Sequence, residues 1–221
     1  MECIMAVNAK QKAYNYIKSL LIENVANNDF TLSETAIAEA VGVSRTPVRE
    51  AMSLLESEGW IEIIPNKGPV RVSLDVNDVI MITQILEGLE GIAARIACER
   101  ASRDEIQKLR QGLLVLDDLN NPEQQKASQK IGYAVHSLIV QSTGNKRLIK
   151  IVENLLYQRR AIGSLGVYNE ANTVKRYEQH LAILDALLKK DPDHAEAVMR
   201  NHVVSVSMDA LDNLYKGYLR Y

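Results

Sequence analysis

The stretch VGVSRTPVREA, residues 41–51, predicts two helices joined by a tight turn. Gly42 permits the left-handed backbone that ends one helix, and Ser44 is suited to cap the next. Arg45 and Arg49 lie four residues apart, so both guanidinium groups project from one face of the second helix. Arginines at a helix N-terminus suit phosphate oxygens and guanine edges, so the stretch indicates a helix that enters a DNA groove.

Composition limits how such a helix can recognise DNA. The chain has 221 residues, 47% of them hydrophobic, which is enough for one large or two small domains with real cores. Its formal net charge is −2, and residues 1–75 contain seven Lys or Arg against ten Asp or Glu. Bulk charge therefore does not attract DNA, and recognition must depend on where a few arginines lie.

The cysteines and the apolar runs indicate a protein of a reducing compartment. Cys3 and Cys98 are far apart and form no C-x-x-C pair, which argues against a disulfide framework and against a zinc ribbon. The sequence has neither a signal-peptide pattern nor an apolar run of membrane-spanning length. We therefore expect a cytoplasmic protein that makes no use of a membrane.

Residues 1–75 are predicted to form a winged helix-turn-helix domain. Apolar spacing and turn residues predict helices at about 10–27, 33–42 and 44–57 and strands at 60–64 and 69–74. Three helices followed by a β-hairpin is the order of that fold. The predicted hairpin turn carries Lys67 and Gly68, which are placed to contact the neighbouring minor groove or the DNA backbone.

This half resembles the GntR family of bacterial transcription regulators. The resemblance rests on SRTPVREAM at 44–52 with Leu55-Glu56 and Glu58-Gly59 after it, and it covers about residues 10–74. It implies that Arg45 and Arg49 are the principal operator contacts, assisted by Ser44, Thr46, Lys67 and Gly68. Family members often carry an arginine early in the second helix, where this chain has Thr35, so one expected DNA contact is missing.

Residues 76–221 show helical spacing throughout and no strand signal. A short polar link is expected at 75–77. The predicted helices lie at about 78–100, 103–119, 123–142, 145–162, 171–190 and 193–217. Six antiparallel helices joined by short turns predict an all-helical bundle, so the fold class is mainly α.

The second half resembles the FCD effector domain of FadR-type regulators. The shared motifs are LEGIAARIA at 89–97, His136 before STGN at 142–145, and HLAILDAL at 180–187. The resemblance covers residues 76–221. It implies a domain that senses a small metabolite, commonly a carboxylate, and transmits its presence to the DNA-binding heads of a homodimer.

Three histidines, His136, His180 and His202, lie on three predicted helices beside apolar residues. One such histidine is usually a core residue, but three that converge in a bundle are better explained by a metal, because neutral imidazole binds zinc, nickel, copper and iron. Domains of the resembled type often add an aspartate four residues before the first histidine, and here that position is Gly132. We expect a divalent transition metal, zinc or nickel, with coordination positions left for water or an anionic ligand. Direct binding of the effector by the histidines is the alternative.

The rest of the effector pocket is less defined by the sequence. Related domains often carry an arginine at the position of Leu86, so a carboxylate would need another cation in this chain. Arg159 and Arg160 are the candidates, and Tyr133 is a candidate for the pocket wall, although surface arginines and core tyrosines are common. His194, at a predicted helix start, is expected on the surface.

The sequence therefore predicts a ligand-responsive transcription regulator that binds an inverted-repeat operator as a homodimer. A regulator that senses the metal ion itself is an alternative. A metal-dependent hydrolase is a weaker alternative, because no acidic residue stands at the spacing of a general base and the DNA-binding head would be unexplained. We expect a regulator and not an enzyme.

Overall fold

The fold is taken from a computed structural model, which describes residues 8–23, 31–72, 75–163 and 170–218. The chain divides into two compact units. The first contains α1 (Ala9–Glu23), α2 (Glu34–Val41), α3 (Arg45–Ser57), β1 (Ile61–Ile64) and β2 (Gly68–Arg71). The second is built on α4 (Val76–Arg100), α5 (Arg103–Leu114), α6 (Pro122–Ser142), α7 (Lys146–Gly163), α8 (Glu170–Lys189) and α9 (Pro192–Tyr218). The predicted fold class, a winged helix-turn-helix followed by a helical bundle, is confirmed.

The turn between α2 and α3 forms as the sequence predicts. The hydroxyl of Ser33 accepts a hydrogen bond from the backbone N–H of Ala36 at 3.3 Å and so caps the start of α2. Gly42 ends that helix in the left-handed region, with φ of 70°. The turn predicted at residues 27–29 lies outside the described residues.

The N-cap of α3 differs from the prediction in one respect. Ser44 occupies the N-cap position with extended backbone angles, but its side chain makes no capping hydrogen bond. A capping hydroxyl commonly accepts from the N–H of the third helical residue, and here that residue is Pro47, which has none. The hydroxyl of the exposed Ser44 is therefore left for another partner.

The core of the first unit lies between α1, α3 and the hairpin. Its buried side chains include Ala13, Ile17, Leu21, Val48, Ala51, Met52, Leu55 and Trp60. The spacing within α3, at positions three or four apart, buries one face and leaves the face with Arg45 and Arg49 in solvent. The ammonium of Lys18 lies 4.1 Å from the centroid of the Trp60 ring and covers that part of the core.

The hairpin is antiparallel and shorter than predicted. Ile61 pairs with Arg71 and Ile64 pairs with Gly68. The first strand therefore begins one residue after the predicted 60–64, and the second begins one residue before the predicted 69–74 and ends at Arg71. Asn66 in the turn has φ of 64°, in the left-handed region that asparagine tolerates. Residues 73–74 lie outside the described part of the chain.

The predicted polar link at 75–77 is wrong, because the helix begins there. The side chain of Asp75 accepts from the backbone N–H of Asp78 at 2.9 Å, and the side chain of Asp78 accepts from the N–H of Asp75 at 2.7 Å. This reciprocal capping box satisfies two backbone donors and starts α4 at Val76.

The predicted end of α5 is also wrong, by five residues. The helix stops at Leu114 and not at residue 119. The side-chain oxygen of Gln124 accepts from the backbone N–H groups of Asp117 and Asp118, at 2.9 and 3.1 Å. These two N–H groups therefore bond to a side chain of α6 and not to backbone carbonyls of a continued α5.

In the second unit α4 packs along α9, and α6 and α8 complete the centre of the bundle. The apolar residues that are fully or almost fully buried there include Leu86, Val135, Ile139, Ile183, Leu184, Met199 and Val203. The hydroxyls of Thr83 on α4 and Ser207 on α9 are hydrogen-bonded at 2.6 Å. Within the described residues, no helix combines the length and apolar character needed to cross a bilayer.

Candidate functional site

The exposed start of α3 carries the predicted DNA-reading residues Ser44, Arg45, Thr46 and Arg49, which we call the recognition surface. The side chains of Arg45 and Arg49 are 57% and 61% exposed. Both pair with Glu34, the first residue of α2: its Oε2 lies 3.0 Å from Nη2 of Arg45 and 2.8 Å from Nε of Arg49. The sequence analysis missed Glu34, because its contact depends on how α2 packs against α3.

The carboxyl of Glu34 is shifted toward its charged form. Partial burial raises its pKa, but the hydrogen bonds and charges of Arg45 and Arg49 outweigh burial and bring the pKa below its ordinary value. The carboxyl is therefore ionised at neutral pH, and its negative charge lies beside the two cations of the recognition surface.

Lys10 precedes the recognition surface along the chain and Lys67 follows it, and both belong to the first unit. Lys10 of α1 and Arg49 line a shallow groove together with Thr46, Glu50, Ser53 and Leu54. Sequence reasoning did not single out Lys10, because it lies far from α3 along the chain. Lys67 is exposed in the hairpin turn beside Gly68.

The bundle brings His136 of α6, His180 of α8 and His202 of α9 together in its interior, and we call them the histidine cluster. One ring nitrogen of each lies within 4.8 Å of the corresponding nitrogens of the other two. The ring centroids are 4.6 to 5.6 Å apart. Three separate helices thus place three ligand-type side chains around one point.

Hydrogen bonds at Nδ1 orient the rings of His136 and His202, on the side away from their Nε2 atoms. Nδ1 of His136 donates to Oε1 of Glu90, a fully buried carboxylate of α4, and Nδ1 of His202 donates to Oε1 of Gln179 at 2.9 Å. With the protons on Nδ1, the Nε2 lone pairs of His136 and His202 face each other at 3.2 Å. Two such lone pairs repel unless a proton or a metal ion lies between them.

Two of the three imidazoles are held in the neutral form near one buried anion. Burial, reinforced by neighbouring histidines, Arg159 and Arg176, holds the pKa values of His180 and His202 well below the ordinary value of 6.5. Burial also raises the pKa of Glu90, but His136 and Arg159 outweigh it and bring the pKa below its ordinary value. A neutral imidazole is the form that binds a metal ion.

His180 is the least satisfied member of the cluster. Both of its ring nitrogens are buried, and neither has a hydrogen-bond partner among the residues that the structure describes. A buried polar group without a partner is rare and points to an ion or water at that place. A metal ion bound by the cluster would supply that partner, so the residues present fit such a group.

Gly132 lies directly against His180. A Cβ atom added at Gly132 would overlap Cε1 of His180 and come within 3.0 Å of its Nδ1. The imidazole therefore occupies the space that a side chain at position 132 would need. Loss of the expected aspartate is thus linked to where the His180 ring lies.

The predicted effector residues are only partly brought to the cluster. Arg159 joins it through Glu90, with Nη1 of Arg159 3.8 Å from Oε2 of the carboxylate. Tyr133 is half-buried, with its hydroxyl 3.4 Å from Nε2 of Gln129. The side chain of Arg160 lies outside the described residues, and His194 is exposed as expected. Glu90 and Gln179 were missed by the sequence analysis.

Comparison with known families matches both halves of the chain. Residues 9–70 match the gntR family of bacterial regulatory proteins, and residues 81–205 match the FCD domain. The fold and these two matches define a DNA-binding transcription regulator, and neither family is an enzyme family. The chain belongs to the GntR family, in its FadR-type group with an FCD domain.

Individual relatives agree with this assignment. The chain is 28% identical over 193 residues to the uncharacterized HTH-type transcriptional regulator YdhC of Bacillus subtilis, covering 86% of this chain and 85% of that protein. It is 29% identical over 175 residues to the Nta operon transcriptional regulator of Aminobacter aminovorans, covering 78% and 80% of the two chains. The crystal structure of a putative transcriptional regulator GntR from Rhodococcus sp. RHA1 has the same fold, with a TM-score of 0.73 at 16% identity over 92% of this chain and 97% of that one.

Proposed function

We propose that the chain is an operator-binding regulator whose histidine cluster holds a divalent metal ion and senses a small carboxylate. The observation that carries this proposal is the pair of Nε2 atoms of His136 and His202, 3.2 Å apart with both Nδ1 atoms engaged elsewhere. Two imidazoles bound to one tetrahedral zinc ion at about 2.05 Å have nitrogens about 3.3 Å apart. His136, His180 and His202 would hold the ion.

The support for an anionic effector is the charge and space around the cluster. Gly132 contributes no carboxylate, so three neutral imidazoles leave the charge of a divalent ion uncompensated on that side. Glu90 is already engaged by His136 and Arg159. A bound metal ion would act as a Lewis acid that accepts a carboxylate oxygen from outside the protein.

The recognition surface is the proposed operator contact. Arg45 and Arg49 are more than half exposed on one face of α3, and the Ser44 hydroxyl makes no capping bond, so all three are open to DNA. Thr46, Lys67 and Gly68 are the proposed assisting contacts. In a two-fold symmetric complex each half of an inverted repeat would be read by one copy of α3.

The apolar face of α4 supports a homodimer. Met81, Ile85, Gly88 and Ile92 follow one another at intervals of three or four residues and therefore share one face of α4. The side chains of Met81, Ile85 and Ile92 are 52%, 48% and 38% exposed. Side chains of this type on one helix face normally pack against a partner. We propose a second copy of the chain as that partner, because an inverted-repeat operator needs two heads.

The sensor proposal is tested by metal loading. The purified protein is incubated with Zn²⁺ or Ni²⁺, dialysed, and its bound metal measured by mass spectrometry. We expect one ion per chain in the wild type, its loss in His180→Ala, and its retention in the matched control His194→Ala. Equal metal content in the two variants would overturn the histidine site.

Effector chemistry is tested on the same samples by DNA binding. Fluorescence anisotropy with a duplex selected by the protein from a randomised library is measured with chelator, with Zn²⁺, and with Zn²⁺ plus short mono- and dicarboxylates. A carboxylate effect that requires Zn²⁺ supports the proposal, and an effect that persists with chelator points to direct binding by the histidines. Binding that follows Zn²⁺ with no carboxylate effect identifies a metal sensor.

A further inference from the structure

We propose that Glu34 is a positioning residue for DNA recognition, which holds Arg45 and Arg49 for base reading and suppresses binding to non-operator DNA. The inference rests on the proposed role of α3 and assigns a further residue to it. One oxygen, Oε2 of Glu34, accepts from both arginines, at 3.0 and 2.8 Å. The two cations are thereby drawn to one point between α2 and α3.

Glu34 itself is held firmly. It is the first residue of α2, directly after Ser33, whose hydroxyl caps that helix. The side chain of Glu34 is 25% exposed, whereas those of the two arginines are more than half exposed. The carboxylate is therefore the fixed member of the group, and the long arginine side chains take their direction from it.

The contact with Glu34 leaves the terminal nitrogens of the Arg49 guanidinium available. Glu34 contacts Nε of Arg49, and no other hydrogen bond of this guanidinium is found among the residues that the structure describes. The terminal Nη1 and Nη2 groups are the pair that binds O6 and N7 of guanine. A carboxylate at Nε thus orients the side chain and spares the two donors that recognise a base.

The charge of Glu34 acts against unspecific binding. Affinity for arbitrary DNA comes from cations that neutralise phosphates and release counterions. The carboxylate beside Arg45 and Arg49, ionised with its lowered pKa, reduces the net positive charge that attracts any phosphate. The Nη1 and Nη2 donors of Arg49 stay available for the hydrogen bonds that recognise a base edge.

Stabilisation of the fold is a weaker explanation of the same contacts. Ion pairs between exposed side chains contribute little to the free energy of unfolding, because water screens them and the side chains lose freedom. The two pairs also join neighbouring helices that already share a buried core with Ile37, Ala38, Val48 and Leu55. A role in DNA binding therefore explains better than fold stability why Arg45 and Arg49 converge on one oxygen of Glu34.

The test compares two DNA duplexes, one selected by the wild-type protein from a randomised library and one with the same bases in scrambled order. Dissociation constants are measured by anisotropy over a series of KCl concentrations. We expect Glu34→Gln to bind the scrambled duplex more tightly, with the preference for the selected duplex falling about tenfold. The slope of log affinity against log salt for the scrambled duplex should steepen by about one to two units, because two arginines become available to phosphates.

Glu39→Gln is the matched control. It removes the same charge from the same helix, and Glu39 is exposed with no ion pair to α3 in the described part of the chain. A second variant, Glu34→Asp, keeps the charge and shortens the reach, and it should lower the preference in the same direction as Glu34→Gln. This variant also covers the case in which Glu34→Gln folds poorly.

Equal effects of Glu34→Gln and Glu39→Gln, or an unchanged preference in a folded Glu34→Asp, would overturn the role of Glu34. Failure of the proposed DNA contact is a separate result. It would show as unchanged binding of the selected duplex by Arg49→Ala, whatever the Glu34 variants do.

Discussion

The recognition surface and the histidine cluster each depend on one carboxylate, but in opposite surroundings. Glu34 pairs with arginines that are more than half exposed, where water and salt weaken the interaction. Glu90 is fully buried between His136 and Arg159, where an unpaired charge would be costly. The difference teaches that a carboxylate with solvent-exposed partners orients side chains that still have to reach a ligand, whereas a carboxylate in the core fixes the geometry that a ligand meets.

The largest expected effect is at the recognition surface. Arg49→Ala removes the proposed base contact from both heads of a dimer, so affinity for a selected duplex should fall by about 3 kcal/mol, more than a hundredfold. Arg147→Ala, an exposed arginine of the second unit, removes the same charge and should change the affinity little. Anisotropy titration measures both, and equal losses in the two variants would mean that only charge matters at Arg49.

The next effect concerns the buried carboxylate. Glu90→Gln keeps a hydrogen-bond acceptor for Nδ1 of His136 but removes the negative charge behind it. Partners behind a ligating histidine are typically worth about 10- to 100-fold in metal affinity, so Zn²⁺ binding should weaken by that factor. Competition with a chromogenic chelator measures the constant. Unchanged affinity would mean that Glu90 has no influence on the cluster.

A smaller effect is expected at Gly132. The Cβ of Gly132→Ala would overlap the His180 ring, and overpacking of this kind costs about 1–2 kcal/mol. Gly112→Ala on α5 is the matched control, because the nearest neighbour of its added Cβ is the flexible end of the Ile131 side chain, at 3.3 Å, and alanine favours a helix. Thermal unfolding should show a lower midpoint for the first variant and an equal or higher midpoint for the second. A raised midpoint for both would contradict the close contact with His180.

The smallest expected effect is a pH dependence of the metal-free protein. Since the pKa values of His180 and His202 lie well below 6.5 in the fold, only the unfolded chain takes up these protons as pH falls through that value. The free energy of unfolding should therefore decrease below about pH 6.5, by up to about 1.4 kcal/mol per pH unit for each histidine. Urea titrations with chelator present measure this slope, and His180→Gln should reduce it. An identical slope in the variant would contradict the low pKa of His180.

Local signals predicted much of the fold. Gly42 ends α2 and α5 begins at Arg103, both where the sequence predicted. Two helix boundaries were wrong where side chains bond to the backbone: the Asp75–Asp78 capping box starts α4 early, and Gln124 accepts from N–H groups just beyond the early end of α5. Pairs of this kind depend on side-chain geometry that apolar spacing does not report.

The sites were predicted in part for the same reason. The sequence placed the three histidines on separate helices, and the bundle brings them together. Glu34 and Glu90 were missed, because their partners lie at least 11 residues away along the chain, and Arg159 lies 69 residues after Glu90. Glu90 did carry one usable signal: it stands among Leu86, Ala93 and Ala97 on the buried face of α4, where a charged residue needs a partner.

The contact between Gly132 and His180 has a consequence for how such regulators diverge. An aspartate at position 132 and the present place of the His180 ring exclude each other, so a single substitution cannot add a fourth protein ligand without moving a third. The residue at position 132 and the rotamer of the histidine at position 180 are therefore expected to change together across related chains. Lineages that exchange aspartate for glycine at this place would pass through one substitution and one side-chain rearrangement, with the surrounding helices unchanged.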